Sequence, residues 1–266
     1  MRILKYSAQS YLALRSNSEH TFAAQCALRI YQANAIYSFI PKNACSTLRL
    51  SLAIANGCIE STDDFNWIHA NNKTFSADLP SLANATYTFT VLRCPYARLA
   101  SAYLNKIVEK RSDAWQLLKL TKRRFEIEEI TFDRFIKLLR QPNVRKGNLH
   151  WRPQVDFLVY KQYDDYFCLE EFSTAVSTLK DKINLDVVDA RPLTKHGIDR
   201  LSILSEGNFS KRSPSEIYSM KASGQCPAPR SLYTDELVNI VNKHYKADID
   251  LYKSIFGTKN LMFVES

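Results

Sequence analysis

Residues 35–57 read AIYSFI-PKNACST-LRLSLAIANG, and this stretch decides the fold. Of the first six, all but Ser38 are aromatic, β-branched or apolar, and they stop at Pro41, which predicts a buried strand. Leu48, Leu52 and Ala55 then fall on one helical face, and Gly57 stands where a helix ends. The order is therefore strand, short loop, helix. The first turn of a helix carries unpaired N–H groups and the positive end of its dipole, so it receives phosphate. Lys42 opens the loop, while Ser46 and Thr47 close it, offering one cation and two hydroxyls to an oxyanion. The G-x-x-x-x-G-K-[ST] pattern is absent, because Lys42 precedes the hydroxyl pair instead of abutting it. An ordinary strand-turn-helix with a solvated lysine is the other reading of the same residues.

The pattern recurs downstream. Residues Tyr87–Leu92 (YTFTVL) predict a second strand, and Pro95 then suits the first turn of a helix. Leu99, Tyr103 and Ile107 follow at i, i+4 and i+8 on a helix running towards Arg111. Arg93 sits at the carboxyl edge of its strand, where open α/β sheets bind ligands, and its guanidinium suits a phosphate. Ser101 adds a hydroxyl on the helix, or is simply a small residue at a helix-sheet contact. Arg98 is expected to be a solvated helical charge. Residues 166–169 (YFCL) predict a third strand, followed by a helix from Glu170 to about Asp181. Thr131, Ser213 (with Pro214 and Glu216) and Thr234 read as helix N-caps. After Thr234, Leu237, Val241 and Tyr245 should face inward, with Ile240 and His244 near them. Strands alternating with helices point to a mostly parallel sheet.

Composition bounds the function. The chain has 266 residues, 45% hydrophobic and 24% charged, with no repeat and no low-complexity linker. Global disorder is excluded. A chain this long buries roughly 70–75% of its unfolded surface and needs no disulfide or metal staple. The six cysteines form no CxxC pair and have no zinc-finger histidines, so reduced thiols are expected. No stretch approaches the ~20 apolar residues of a membrane span. The net charge of +9 suggests an anionic partner: nucleic acid, a phosphorylated cofactor, an acidic glycan or an anionic membrane.

Together, Pro41-Lys42-Asn43-Ala44-Cys45-Ser46-Thr47 and the Arg93–Ser101 segment resemble the cofactor motifs of sulfotransferases that use 3′-phosphoadenosine 5′-phosphosulfate (PAPS). The chain is most similar to the carbohydrate sulfotransferases of the chondroitin/dermatan 4-O and heparan sulfate 2-O and 6-O types. The likeness runs from about Ile36 to Phe256 and includes His150-Trp151-Arg152-Pro153-Gln154. It implies a P-loop-like three-layer α/β sandwich, with a central mostly parallel sheet flanked by helices. One sulfotransferase-like domain would span 1–266. Its cofactor core would be about 36–110 plus 160–256, with a helical basic insertion at about 111–150.

The resemblance also implies roles. Lys42 and backbone N–H groups of Asn43, Ala44, Cys45, Ser46, Thr47 and Leu48 would contact the 5′-phosphosulfate. Arg93 and Ser101 would clasp the 3′-phosphate. Lys211, Arg212 and Ser213 fall where relatives close a loop over the adenine. Relatives often carry Asp or Glu where Cys94 stands.

Sulfuryl transfer needs a base for the acceptor proton, and His or Glu is the usual choice. His69 lies between the two motifs, as the catalytic His does in the heparan sulfate enzymes, and is the first candidate. His150 is the second, or orients the acceptor together with Arg152. Lys42 would stabilise the transferring group. The Lys- and Arg-rich segment 106–146 reads as a solvated face or as a rim for an anionic acceptor. Trp115 and Trp151 suit sugar stacking or a core.

The expected activity is sulfuryl transfer from PAPS to a hydroxyl of a carbohydrate or other acceptor, with no metal. A nucleic-acid-binding module and a P-loop kinase are the alternatives. No nucleic-acid motif is present, and a kinase needs a Gly-rich loop and Mg²⁺ ligands. The compartment is expected to be cytoplasmic, as in a soluble bacterial-type enzyme. A Golgi lumenal domain without its anchor is the alternative.

Overall fold

The decisive stretch forms the predicted strand and helix. In the computed structural model, which describes residues 2–8, 13–71, 73–193 and 200–264, strand β2 is Ala35–Ser38 and the helix is Cys45–Ala55. It follows β1 (Ala27–Ile30), and the sheet continues with β3 (Tyr87–Leu92) and β4 (Asp165–Cys168) in the order β1-β2-β3-β4. β1 pairs antiparallel with β2, while β2, β3 and β4 are parallel. The β1–β2 connection turns on Asn34 at φ +44°, a left-handed conformation that Asn tolerates.

All ten residues of β2 and β3 are buried, as expected for central parallel strands covered on both faces. Tyr37 and Phe89 are register partners and stack at 5.0 Å. The buried threonine hydroxyls of β3 are satisfied, with Thr90 Oγ1 donating to Ser38 O at 2.9 Å and Thr88 Oγ1 to Asp164 at 2.9 Å, whereas the Tyr37 hydroxyl has no partner among the described residues. The helix Cys45–Ala55 buries Leu48, Leu50 and Leu52. It ends in a Schellman motif: Gly57 (φ +73°) donates to Ile54 O and Cys58 to Ala53 O.

The described residues divide into two units. The first, 2–93 with 154–193, holds this four-stranded sheet and the helices Ser18–Gln25, Cys45–Ala55 and Phe172–Ile183. The mixed α/β architecture with a mostly parallel sheet and flanking helices is the one the sequence implies.

The second, 94–153 with 200–264, is mostly helical. It contains the helix Pro95–Ala102, with Pro95 in its first turn, and a wider π-helical turn at Tyr103–Ile107, so the regular helix stops short of Arg111. Thr131, Ser213 and Thr234 cap helices as predicted. The last predicted helix is two, Asp235–His244 and Lys246–Phe256, broken at Tyr245. Tyr245 itself is buried and donates to Trp151 O at 2.6 Å. β5 (Ser202–Leu204) and β6 (Gln225–Pro227) make a small parallel pair that no local signal announced. Trp151 is fully buried and donates to Val144 O at 2.9 Å, so it belongs to the core, whereas Trp115 is exposed. Among the described residues, none of the six cysteines is in a disulfide.

Candidate active site

The loop after β2 and the residue after β3 leave the same edge of the sheet, because Ser38 and Thr90 are register partners in parallel strands. The loop turns through two left-handed non-glycine residues, Lys42 (φ +72°) and Ala44 (φ +54°). Each such residue costs about 1–2 kcal/mol, so the surroundings must hold the turn. Asn43, fully buried between them, does so. Its Nδ2 donates to Val91 O at 2.8 Å and to Gln154 Oε1 at 2.6 Å, while its Oδ1 has no partner among the described residues.

Ala44 is the N-cap of the helix Cys45–Ala55 and brings no capping side chain. That leaves the first-turn N–H groups for an anion. Of the six backbone N–H groups expected to serve it, Asn43 donates to Ile40 O and Leu48 to Ala44 O. The set narrows to Ala44, Cys45, Ser46 and Thr47. Leu48 is wholly buried and packs in the core. Thr47 Oγ1 accepts from Ala190 N at 3.2 Å, which leaves its own proton to donate. Ser46 is half-buried and its hydroxyl has no partner among the described residues.

Arg93 joins the two motifs. Its Nη1 donates to Lys42 O at 3.0 Å, across 51 residues of sequence. Its backbone is held by Gln154, whose Oε1 accepts from Arg93 N at 3.0 Å and whose Nε2 donates to Arg93 O at 2.9 Å. His69 lies in the same unit, exposed, on the short helix Trp67–Ala70, with its ring edge-on to Phe65 at 5.2 Å. Arg49, from the helix Cys45–Ala55, donates to Ile68 O and so ties His69's neighbour to the loop helix. This contact was not legible in the sequence.

The remaining predicted residues stand in the second unit. Ser101 is half-buried on the helix Pro95–Ala102, its hydroxyl without a partner among the described residues. Arg98, expected in solvent, is buried. It donates to Arg152 O at 2.7 Å and to Leu149 O at 3.1 Å, fixing the backbone on both sides of His150. Arg98 lies three residues after Pro95 and four before Ala102, both buried, so helical spacing placed it on the apolar face.

His150 Nδ1 lies 2.7 Å from Asp113 Oδ1 and 3.2 Å from Asn148 Oδ1. Burial pushes the Asp113 carboxyl up, but the hydrogen bond and charge of His150, the amide of Asn148 and Lys106 together hold it well below the usual carboxylate range. A carboxylate on one nitrogen of a histidine orients the other, the arrangement of a general base. Asp113 carried no sequence motif. Arg152 Nη1 reaches Lys146 O at 3.4 Å. Ser213 Oγ accepts from Glu216 N, Arg212 pairs with Glu216 at 2.9 Å, and Lys211 is exposed. His244 shares a 3.4 Å contact with Arg145, and burial, then Arg145, Lys243 and Arg140, push its pKa down.

In the basic segment, Lys106, Lys110, Arg111 and Lys137 are ion-paired within the unit. A cavity of about 250 Å³ there is lined by Lys122, Arg124 and Phe125, with Gln141 and Asn143. Among the described residues no helix is long and apolar enough to cross a membrane.

A family model described as the sulfotransferase family matches residues 31–254. The chain belongs to that family. It is 26% identical over 134 residues to carbohydrate sulfotransferase 14 of Danio rerio, covering 44% of this chain and 36% of the relative. It is 27% identical over 132 residues to carbohydrate sulfotransferase 14 of Homo sapiens, covering 44% and 35%. The matched region spans about a third of the length of these curated relatives. No solved structure matches the chain.

Proposed function

We propose that this sulfotransferase-family protein moves a sulfuryl group from PAPS to a hydroxyl of a carbohydrate acceptor. The observation that carries the reading is the Arg93–Lys42 contact. It unites a helix N-terminus built for an oxyanion with a second phosphate-binding cation, both at the carboxyl edge of a parallel sheet. The family match and the names of the relatives supply the chemistry.

The helix N-terminus and the cations of the first unit suit the phosphosulfate of PAPS. Lys42, the first-turn N–H groups of Ala44 to Thr47, and the Ser46 and Thr47 hydroxyls would hold its 5′-phosphosulfate. Arg93 and Ser101 would hold its 3′-phosphate, and Lys211, Arg212 and Ser213 would border the adenine. When bound, PAPS supplies an electrophilic sulfur whose bond to the 5′-phosphate oxygen breaks as the acceptor oxygen attacks. Lys42 stabilises the negative charge that develops on the leaving side. His69 takes the acceptor proton.

His150 is the second candidate for that proton, favoured by its 2.7 Å contact with Asp113. Arg152 would help orient the acceptor, and the cations Lys122 and Arg124 suit one that is anionic. The test is transfer of label from PAPS to a panel of neutral and acidic glycans, in excess EDTA. Sulfated glycan is expected, with turnover lowered more than 100-fold by either His69→Ala or His150→Ala. Label on no glycan, or activity abolished by EDTA, argues against the reading.

A further inference from the structure

The buried amide of Gln154 closes a circuit between the two loops. Gln154 is 1% exposed, and the hydrogen bonds of its side chain include these: Oε1 accepts from Asn43 Nδ2 (2.6 Å) and Arg93 N (3.0 Å), and Nε2 donates to Arg93 O (2.9 Å). Arg93 Nη1 in turn donates to Lys42 O, and Lys42 adjoins Asn43. The circuit thus runs from Gln154 to Asn43, along the chain to Lys42, across to Arg93 and back to Gln154. Both left-handed residues of the loop flank its Asn43 corner.

A strained turn persists only while its surroundings over-determine it, and among the described residues the side-chain hydrogen bonds that pin Asn43 go to Val91 O and to Gln154. Glutamine suits the post because one end must accept twice while the other donates. A carboxylate can accept but cannot donate to Arg93 O, and methionine has no donor and only a weakly accepting sulfur.

We propose that Gln154 is a positioning residue for nucleotide binding. It sets the Lys42 loop and the Arg93 backbone in register, so that one nucleotide can engage both. This rests on the proposed use of PAPS. It assigns Gln154 no contact with the nucleotide and no chemical step; it acts through Asn43 and Arg93.

The experiment is calorimetric titration of the full chain with 3′-phosphoadenosine 5′-phosphate. The proteins are wild type, Arg93→Ala, Gln154→Met, their double variant, and Gln154→Glu, each with a thermal melt. Gln154→Met should bind at least tenfold more weakly. The double variant should lose much less than the product of the two single losses, because both act through Arg93. Gln154→Glu keeps the two accepted bonds, so it should recover part of the affinity and fall between methionine and wild type. If Gln154→Met does not fold, Gln154→Glu carries the test and should bind about three- to tenfold more weakly than wild type.

Wild-type affinity in Gln154→Met, or in Gln154→Glu where Met is unfolded, overturns the inference. So do losses that multiply in the double variant, and a glutamate variant no better than methionine. A wild-type protein that does not bind the nucleotide overturns the use of PAPS itself, and this inference with it.

Discussion

Replacing Arg98 by methionine should destabilise the protein as though a core element had been cut. Arg98 is 1% exposed and donates to the carbonyls of Arg152 and Leu149 at 2.7 and 3.1 Å. Methionine fills the volume of the aliphatic stem but donates nothing. A carbonyl left without its partner costs about 1–3 kcal/mol when buried. Leu149 is itself exposed, so water can reach part of what is lost there. The sum is therefore about 2–4 kcal/mol, from one full and one partial penalty. At about 2–4 °C per kcal/mol for a chain of this size, the melting temperature should fall by roughly 5–15 °C. Urea unfolding followed by tryptophan fluorescence reports directly, because Trp151 lies within the fixed segment. Lysine keeps the charge but lacks the fork that reaches both carbonyls, so Arg98→Lys should recover less than half of the loss. A methionine variant within about 0.5 kcal/mol of wild type would refute the assignment of Arg98 to the scaffold, because even one lost carbonyl partner costs more.

Other consequences follow from the same contacts. Thr47→Val leaves the Ala190 N–H unpaired and removes a hydroxyl from the loop helix. It should cost about 1–2 kcal/mol in urea and weaken nucleotide binding about tenfold, whereas Thr47→Ser should restore both. The Asp113 carboxyl is held below its unfolded pKa, so its contribution is present above about pH 4 and is lost as the pH falls further. The stability deficit of Asp113→Asn, measured by unfolding from pH 6 to pH 3, should therefore shrink towards low pH. A deficit that grows on acidification would mean that Asp113 is not stabilised as the anion.

How much the sequence revealed depended on how local each signal was. Ala35–Ser38 and Tyr87–Leu92 were legible because buried strands are rich in aromatic, β-branched and apolar residues and Pro41 and Pro95 punctuate them. Thr131, Ser213 and Thr234 were legible because capping is decided within four residues. β1 escaped because Ala27–Ile30 is four residues long and acquires its meaning only by pairing with β2. β5 and β6 escaped because three-residue strands are specified by each other. The break at Tyr245 reflects its tertiary hydrogen bond to Trp151 O.

At the candidate site, the places of Lys42 in the loop, Thr47 in the first helical turn and Arg93 after its strand could be read from their spacing. Asp113, Arg49 and the Gln154 circuit could not, because each joins residues 19 to 111 apart. Arg98 was misread as solvated by weighing its charge above its place on the apolar helical face.

Titration of wild type and Arg93→Ala with 3′-phosphoadenosine 5′-phosphate, alongside AMP, tests the central claim most directly. Wild type should bind the bisphosphate at least tenfold more tightly than AMP, and Arg93→Ala should bring the two affinities together. Equal binding of both by wild type, or binding of neither, would contradict the account.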